Sequence, residues 1–264
     1  MMGHTFHLVD MLGVHIYALL MIFVRIGAAM MFLPGVGESF VAVRARLLLA
    51  VMMALLLTPV VGPMIPPLPE EPASLVALIF TEATIGLFLG LIVRLMVTAL
   101  DFAGQIISLQ LGIGSAQAFN PAMATQGSLT GTILGLAALL LIFTTNLHHV
   151  LIAGLVTSYG LMPPMNLAAG HEFPIVPLTQ SFSTVVGQSF NVALMVAAPF
   201  IVVGLIFQAG MGLLARLQPS LQIYFVAMPI QIYFGLAIFG SLLGAMMTLW
   251  LGQTADIYHS LGLN

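Results

Sequence analysis

The chain has no cysteine and no lysine, and only 5% of its 264 residues are charged. Without cysteine, neither a disulfide framework nor a thiolate metal site can form. Without lysine, the basic residues reduce to Arg25, Arg44, Arg46, Arg94 and Arg216. With a net charge of −3 there is no basic patch to meet phosphates, which argues against nucleic acid as a partner. A soluble globular domain carries roughly 25% charged residues. What this chain has instead is apolar surface, with 61% of its residues hydrophobic. Water cannot be the solvent for such a chain, so it reads as an all-α, polytopic integral membrane protein. Residues 1–13 lack a basic n-region, and no small-x-small site follows the first apolar run, which contains Arg25. That run is expected to be a retained spanning segment.

Six apolar segments emerge, near Val14–Leu33, Ala45–Val61, Ala73–Leu100, Leu134–Tyr159, Val185–Leu214 and Ile223–Leu251. Each is long enough to cross a bilayer, and the longest imply tilt, kinks or extension beyond it. Gly62–Pro72 (GPMIPPLPEEP) reads as a stiff acidic connector, and Leu161–Gln180 as a second proline-bearing one. Pro199 and Pro229 fall inside the last two segments and predict kinks. Gly86 with Gly90, and Gly240 with Gly244, have the spacing of close helix contacts. Arg44, Arg46, Arg94 and Arg216 fall at alternate ends of the segments. If they face the cytoplasm, Asp10, Glu70, Glu71, Glu172 and Asp256 lie outside.

One connection departs from this pattern. Between Asp101 and Glu172 there is no Asp, Glu, Lys or Arg, yet Gln105–Thr132 is polar: QIISLQLGIGSAQAFNPAMATQGSLTGT. A water-exposed loop would usually carry charge. A lipid-facing loop would leave bare N–H and C=O groups, each costing several kcal/mol. The stretch is therefore expected to be irregular backbone shielded inside protein or lining a cavity. Gly112-Ile113-Gly114 lacks the third glycine and the preceding strand of a dinucleotide fingerprint. It reads instead as a deformable hinge carrying Phe119 and Met123, able to block a pore and move aside.

Arg25 and Glu82 are the charges set deepest in apolar sequence. Each costs about 2.5–3.5 kcal/mol at a helix centre, so each needs a partner. Counted from the outer face, Arg25 is about eleven residues deep and Glu82 about nine, and at roughly 1.5 Å per residue the depths match. They are expected to pair with each other or with a neighbouring subunit, as a packing device first and a proton or ion relay second. His148 and His149 are adjacent, project about 100° apart on a helix, and have no acid nearby, so they do not read as a metal site. No nucleophile–base constellation is evident, and neither catalysis nor a cofactor is expected. The 18 methionines read mostly as packing or lipid-facing residues.

Three blocks carry a family resemblance: PGVGESFVAVRARLLLA (Pro34–Ala50), AGQIISLQLGIGSAQAFNPAMATQG (Ala103–Gly127) and GLLARLQPSLQIYFVAMPIQIYFGL (Gly212–Leu236). Together they resemble the FliR family of flagellar export proteins, homologous to the export-gate subunit of type III secretion systems. The resemblance covers nearly the whole chain, and the central block is its specific part. It implies tilted, kinked helical hairpins assembled with FliP and FliQ into an export gate in the bacterial inner membrane, within the flagellar basal body. Unfolded flagellar polypeptide would be the cargo. It implies a FliP-like region over 1–183 and a FliQ-like hairpin over 184–264. It implies a channel plug within Leu109–Gln126, with Leu109, Gly112, Gly114, Phe119, Asn120, Pro121 and Met123 as its members. It also implies a cytoplasmic hairpin turn at Arg216, Pro219 and Gln222, near FlhB. Ser115 and Gln117 depart from an apolar plug tip and shift the expected seal toward Phe119. A competing reading is a secondary transporter with a midplane site near Arg25 and Glu82. The uncharged central stretch offers such a site no ion ligands.

Overall fold

The apolar runs are helical over most of their length, continuing through Pro59, Pro199 and Pro229, each of which lies inside a helix. A computed structural model describes residues 3–114, 128–164, 175–217 and 223–260. The α-helices are α1 (Gly3–Met30), α2 (Val43–Val61), α3 (Pro72–Gln110), α4 (Leu129–Thr144), α5 (Leu147–Leu161), α6 (Ile175–Leu217) and α7 (Ile223–Ser260). No strand occurs among the described residues. The fold is that of an all-α polytopic membrane protein. α2, α3, α6 and α7 are long and apolar enough to span a bilayer. α6, at 43 residues, is roughly 65 Å long, about twice the hydrocarbon thickness. It must therefore tilt or extend past the lipid.

Two of the six expected segments are corrected. The fourth is a broken pair, α4 and α5, interrupted at Thr145 and Asn146. Thr144 and Thr145 turn their hydroxyls back onto the carbonyls of Leu140 and Leu141, the second of which also accepts the Thr145 N–H, and such back-bonding bends helices. Asn146 then takes a left-handed conformation at φ 59°, which an asparagine tolerates better than most residues. The third segment does not stop at Leu100; α3 continues through Asp101 to Gln110. Nothing from 101 to 110 breaks a helix, and the chain turns only at Gly112, at φ 77°. Gln105–Gln110 and Leu129–Thr132, expected as irregular backbone, are thus helical. The described apolar part of α1, His15–Met30, is shorter than a full crossing.

The chain packs as two compact units of interleaved sequence. The first takes Met1–Arg94, Asn146–Thr184 and Tyr258–Asn264; the second takes Leu95–Thr145 and Val185–Ile257. In the first unit α1 has a partner on each side. Ile22, Ile26 and Met30 pack on Ala50 and Ala54 of α2, with Tyr159 of α5 in the same cluster. Ala29 packs with Ile85 and Leu89 of α3 and Leu155 of α5. In lipid such contacts gain nothing from excluding water, so close van der Waals approach has to hold the helices together. Gly86 and Gly90 provide it. A Cβ on Gly86 would run into the carbonyl of Arg25, and one on Gly90 into the carbonyl of Ala29.

In the second unit, Gly104 of α3 lies directly against Gly131 of α4, whose N-terminus is capped by Ser128 Oγ accepting from the Gly131 N–H at 3.0 Å. The buried Trp250 of α7 donates its indole N–H to the Met96 carbonyl at 2.8 Å. The second glycine pair behaves differently from the first: added Cβ atoms on Gly240 and Gly244 would meet nothing within 4 Å.

The two pairs should therefore separate under the same substitution. Gly86→Ala should lower the thermal unfolding midpoint of the chain in detergent, with a loss of about 1–3 kcal/mol from overpacking. Gly240→Ala should be neutral or gain up to about 1 kcal/mol from helix propensity. Equal shifts would contradict the packing described.

Candidate functional site

Arg25 and Glu82 are fully buried, and the structure brings them together. Arg25 Nε donates to Glu82 Oε2 at 2.6 Å and Nη2 donates to Oε1 at 2.8 Å. The fork-to-fork geometry fits a planar guanidinium and a carboxylate, and it engages both carboxylate oxygens. The end of α5 completes the shell. Arg25 Nη2 also donates to the Met162 carbonyl at 2.9 Å, and Nη1 reaches Ser158 Oγ at 3.4 Å. The guanidinium carbon stands 4.0 Å from the Tyr159 ring centroid, a cation–π contact. A cation at a helix C-terminus also meets the negative end of the helix dipole. One side chain of α1 thus ties α3 to α5, with its charge answered on each side. The sequence pointed to the two ions but not to Ser158, Tyr159 or the Met162 carbonyl. The polar Ser-Tyr step closing an apolar segment was the available signal.

A second set of contacts gathers the loop between α1 and α2. Arg46 donates from Nε to the Val36 carbonyl at 3.0 Å and from Nη2 to the Glu38 carbonyl at 2.9 Å. Arg94 of α3 forms an ion pair with the Glu38 carboxylate. Glu38 escaped the sequence reading, although it is the acid nearest Arg44 and Arg46. Arg44 is exposed, as is Arg216 in the last turn of α6. His148 and His149 lie in the first turn of α5, just past the Asn146 break, with ring centroids 4.2 Å apart. Among the described residues no group of three His, Cys, Asp or Glu side chains could hold a metal.

The third set surrounds the start of the central segment. Leu109 is exposed in the last turn of α3, Leu111 is buried, and Gly112 makes the left-handed turn. The Leu111 N–H donates to the Ile107 carbonyl at 2.8 Å and the Gly112 N–H to the Leu109 carbonyl at 3.2 Å. The Gln110 carbonyl, which the helix cannot serve, accepts from Gln231 Nε2 of α7 at 2.7 Å. Gln231 went unnoticed in the sequence, where a lone polar residue soon after Pro229 was its signal. Gly114 turns its open side to the Leu109 side chain. Phe119, Asn120, Pro121 and Met123, with Pro219 and Gln222, lie outside the described residues.

The model of bacterial export proteins, family 1, matches residues 16–257. The chain belongs to that family. A flagellar biosynthetic protein FliR of Caulobacter vibrioides is 35% identical to it, over 92% of this chain and 94% of its own length. FliR of Bacillus subtilis is 29% identical over 81% and 82%. The Yop proteins translocation protein T of Yersinia pestis is 29% identical over 60% and 59%. A FliR-type member is an inner-membrane component of a flagellar or type III export apparatus, not of a known enzyme family.

The buried pair should act as a unit. Glu82→Ala strands the guanidinium and should cost about 3–5 kcal/mol. Combining Arg25→Met with Glu82→Leu should recover most of that loss in detergent-phase thermal unfolding. A double variant as unstable as Glu82→Ala would mean the two do not depend on each other.

Proposed function

We propose that the chain is a core subunit of the flagellar export gate, assembling with FliP- and FliQ-type subunits into the channel that passes unfolded flagellar proteins across the inner membrane. On this reading the assembly stands within the basal body. Residues 1–183 form a FliP-like region and 184–264 a FliQ-like hairpin. The turn carrying Arg216, Pro219 and Gln222 faces an FlhB-type subunit at the cytoplasmic end. The central segment within Leu109–Gln126 is the movable plug, and Phe119, Asn120, Pro121 and Met123 belong to its obstructing part.

One observation carries this reading. The uncharged segment leaves and rejoins the helices at two buried points, Leu111 and Ser128, each inside apolar protein. A segment without charge that starts and finishes in the interior is suited to filling a passage. The Gly112 turn, at φ 77°, lets the chain change direction at once on leaving α3. The relatives named FliR and the translocation protein T add the context of polypeptide export. A secondary transporter centred on Arg25 and Glu82 has less support, because the two charges are already spent on each other.

Deleting Gly112–Asn120 should leave co-purification with the FliP- and FliQ-type partners intact. It should raise the ion conductance of the assembled, closed channel in planar bilayers. Unchanged conductance with assembly confirmed would remove the plug. A chain that ignored those partners yet moved a small solute in liposomes would remove the gate.

A further inference from the structure

The stem of the central segment sits in a socket made by two other helices. Gln110 packs against Gly204 of α6, where any Cβ would run into its amide oxygen. Leu111, the next residue, packs against Gly235 of α7, where a Cβ would run into its Cδ2. Two glycines, one on each helix, thus receive two consecutive side chains. Gln231, one helical turn before Gly235, then bonds the Gln110 carbonyl at 2.7 Å. Its amide also lies alongside Gly112, 3.4 Å from where that residue's Cβ would stand. Seat, clasp and turn therefore meet over three residues, Gln110 to Gly112, at the start of the segment.

We propose that Gly204, Gly235 and Gln231 form a latch that keeps the stem seated while the channel is closed, and that the stem leaves this seat when the channel opens. The proposal rests on the reading of the central segment as a plug. Parting a neutral hydrogen bond strands only an amide and a carbonyl, whereas parting a buried ion pair strands two charges. That suits a contact which must release, whereas the Arg25–Glu82 pair suits one which must not. Bending points lie close by. Phe200, Val203, Phe207 and Phe234 surround the seats. Pro199 lies inside α6 and Pro229 inside α7, and each deprives its helix of one backbone bond within a turn or two of the latch.

The test uses the assembled complex in planar bilayers, with substrate export measured in cells. Gln231→Met keeps the side-chain volume but loses the donor, and should raise closed-state ion leak several-fold while assembly is unchanged. In that background, Gln110→Cys with Gly204→Cys places two thiols where the added Cβ would lie 3.1 Å from its partner, close to the roughly 3.5–4.5 Å of a disulfide. The chain has no other cysteine. The oxidised bridge should restore the seal and stop export, and dithiothreitol should reverse both. Where Gln231→Met lowers yield, the same bridge in the otherwise native chain reads out the release step alone. A tight Gln231→Met channel beside a leaky Gly112–Asn120 deletion would overturn the latch and leave the plug standing. A tight deletion would overturn the plug and the latch with it. Parental export through the oxidised bridge would show that the stem need not move.

Discussion

A guanidinium removed from water has to be answered on every side, and Arg25 shows how much structure that requirement organises. Its side chain takes both oxygens of Glu82, a carbonyl at the end of α5 and the face of Tyr159. Its own backbone carbonyl lies against Gly86. Glu82, Gly86 and Gly90 are spaced by four, so they form one stripe along α3. That stripe supplies the charge that neutralises α1 and the bare backbone that lets α1 come close. Each half needs the other. Without the glycines the carboxylate would be held too far away, and without the carboxylate the close approach would bury a lone cation. Register between α1 and α3 follows from this, and the end of α5 is fixed with it.

The same accounting governs the second unit with neutral groups. Hydrocarbon offers polar groups no partner, so a buried donor has to find its acceptor in protein. Thr130 and Trp250 donate to the carbonyls of Gly104 and Met96 within α3, and Gln231 donates to the Gln110 carbonyl at its end. The first of these lies beside the Gly104–Gly131 contact, and the last between the seats at Gly204 and Gly235. Small residues bring backbones together, and polar tips then find carbonyls within reach. This pattern explains why so few charges suffice. The charged and neutral versions differ in what separation would cost, since only the first strands ions away from water.

Composition and the breaker pattern were enough to read the class, most helix positions and the two ions that needed partners. The reading failed where a feature depends on distant residues. The α4–α5 break is written in Thr144, Thr145 and Asn146, none of which prohibits a helix, so the apolar run looked continuous. The extension of α3 past Leu100 was hidden because Asp101 and Gln105 resemble a loop to a hydropathy reading. Gly240 and Gly244 share the spacing of Gly86 and Gly90, and spacing alone does not say whether a second helix is present. Gln231 was invisible for a related reason. Its partner is a backbone carbonyl 121 residues away, and carbonyls leave no trace in a sequence. The family resemblance supplied the context that such long-range contacts could not.

The interleaving of the two packing units bears on how the chain is made. The first unit draws on both ends of the sequence, and the Tyr258 hydroxyl reaches the Val93 carbonyl at 3.4 Å. Ribosomes deliver roughly 5–20 residues per second, N-terminus first. The Val93 carbonyl therefore waits for its partner while the 165 residues to Tyr258 are made. Arg25 and Glu82 both precede Val93, so the two ions are present before that interval begins, whereas Trp250 and Tyr258 come at its far end. The charged contact can thus form before the aromatic residues that reach Met96 and Val93 have been made.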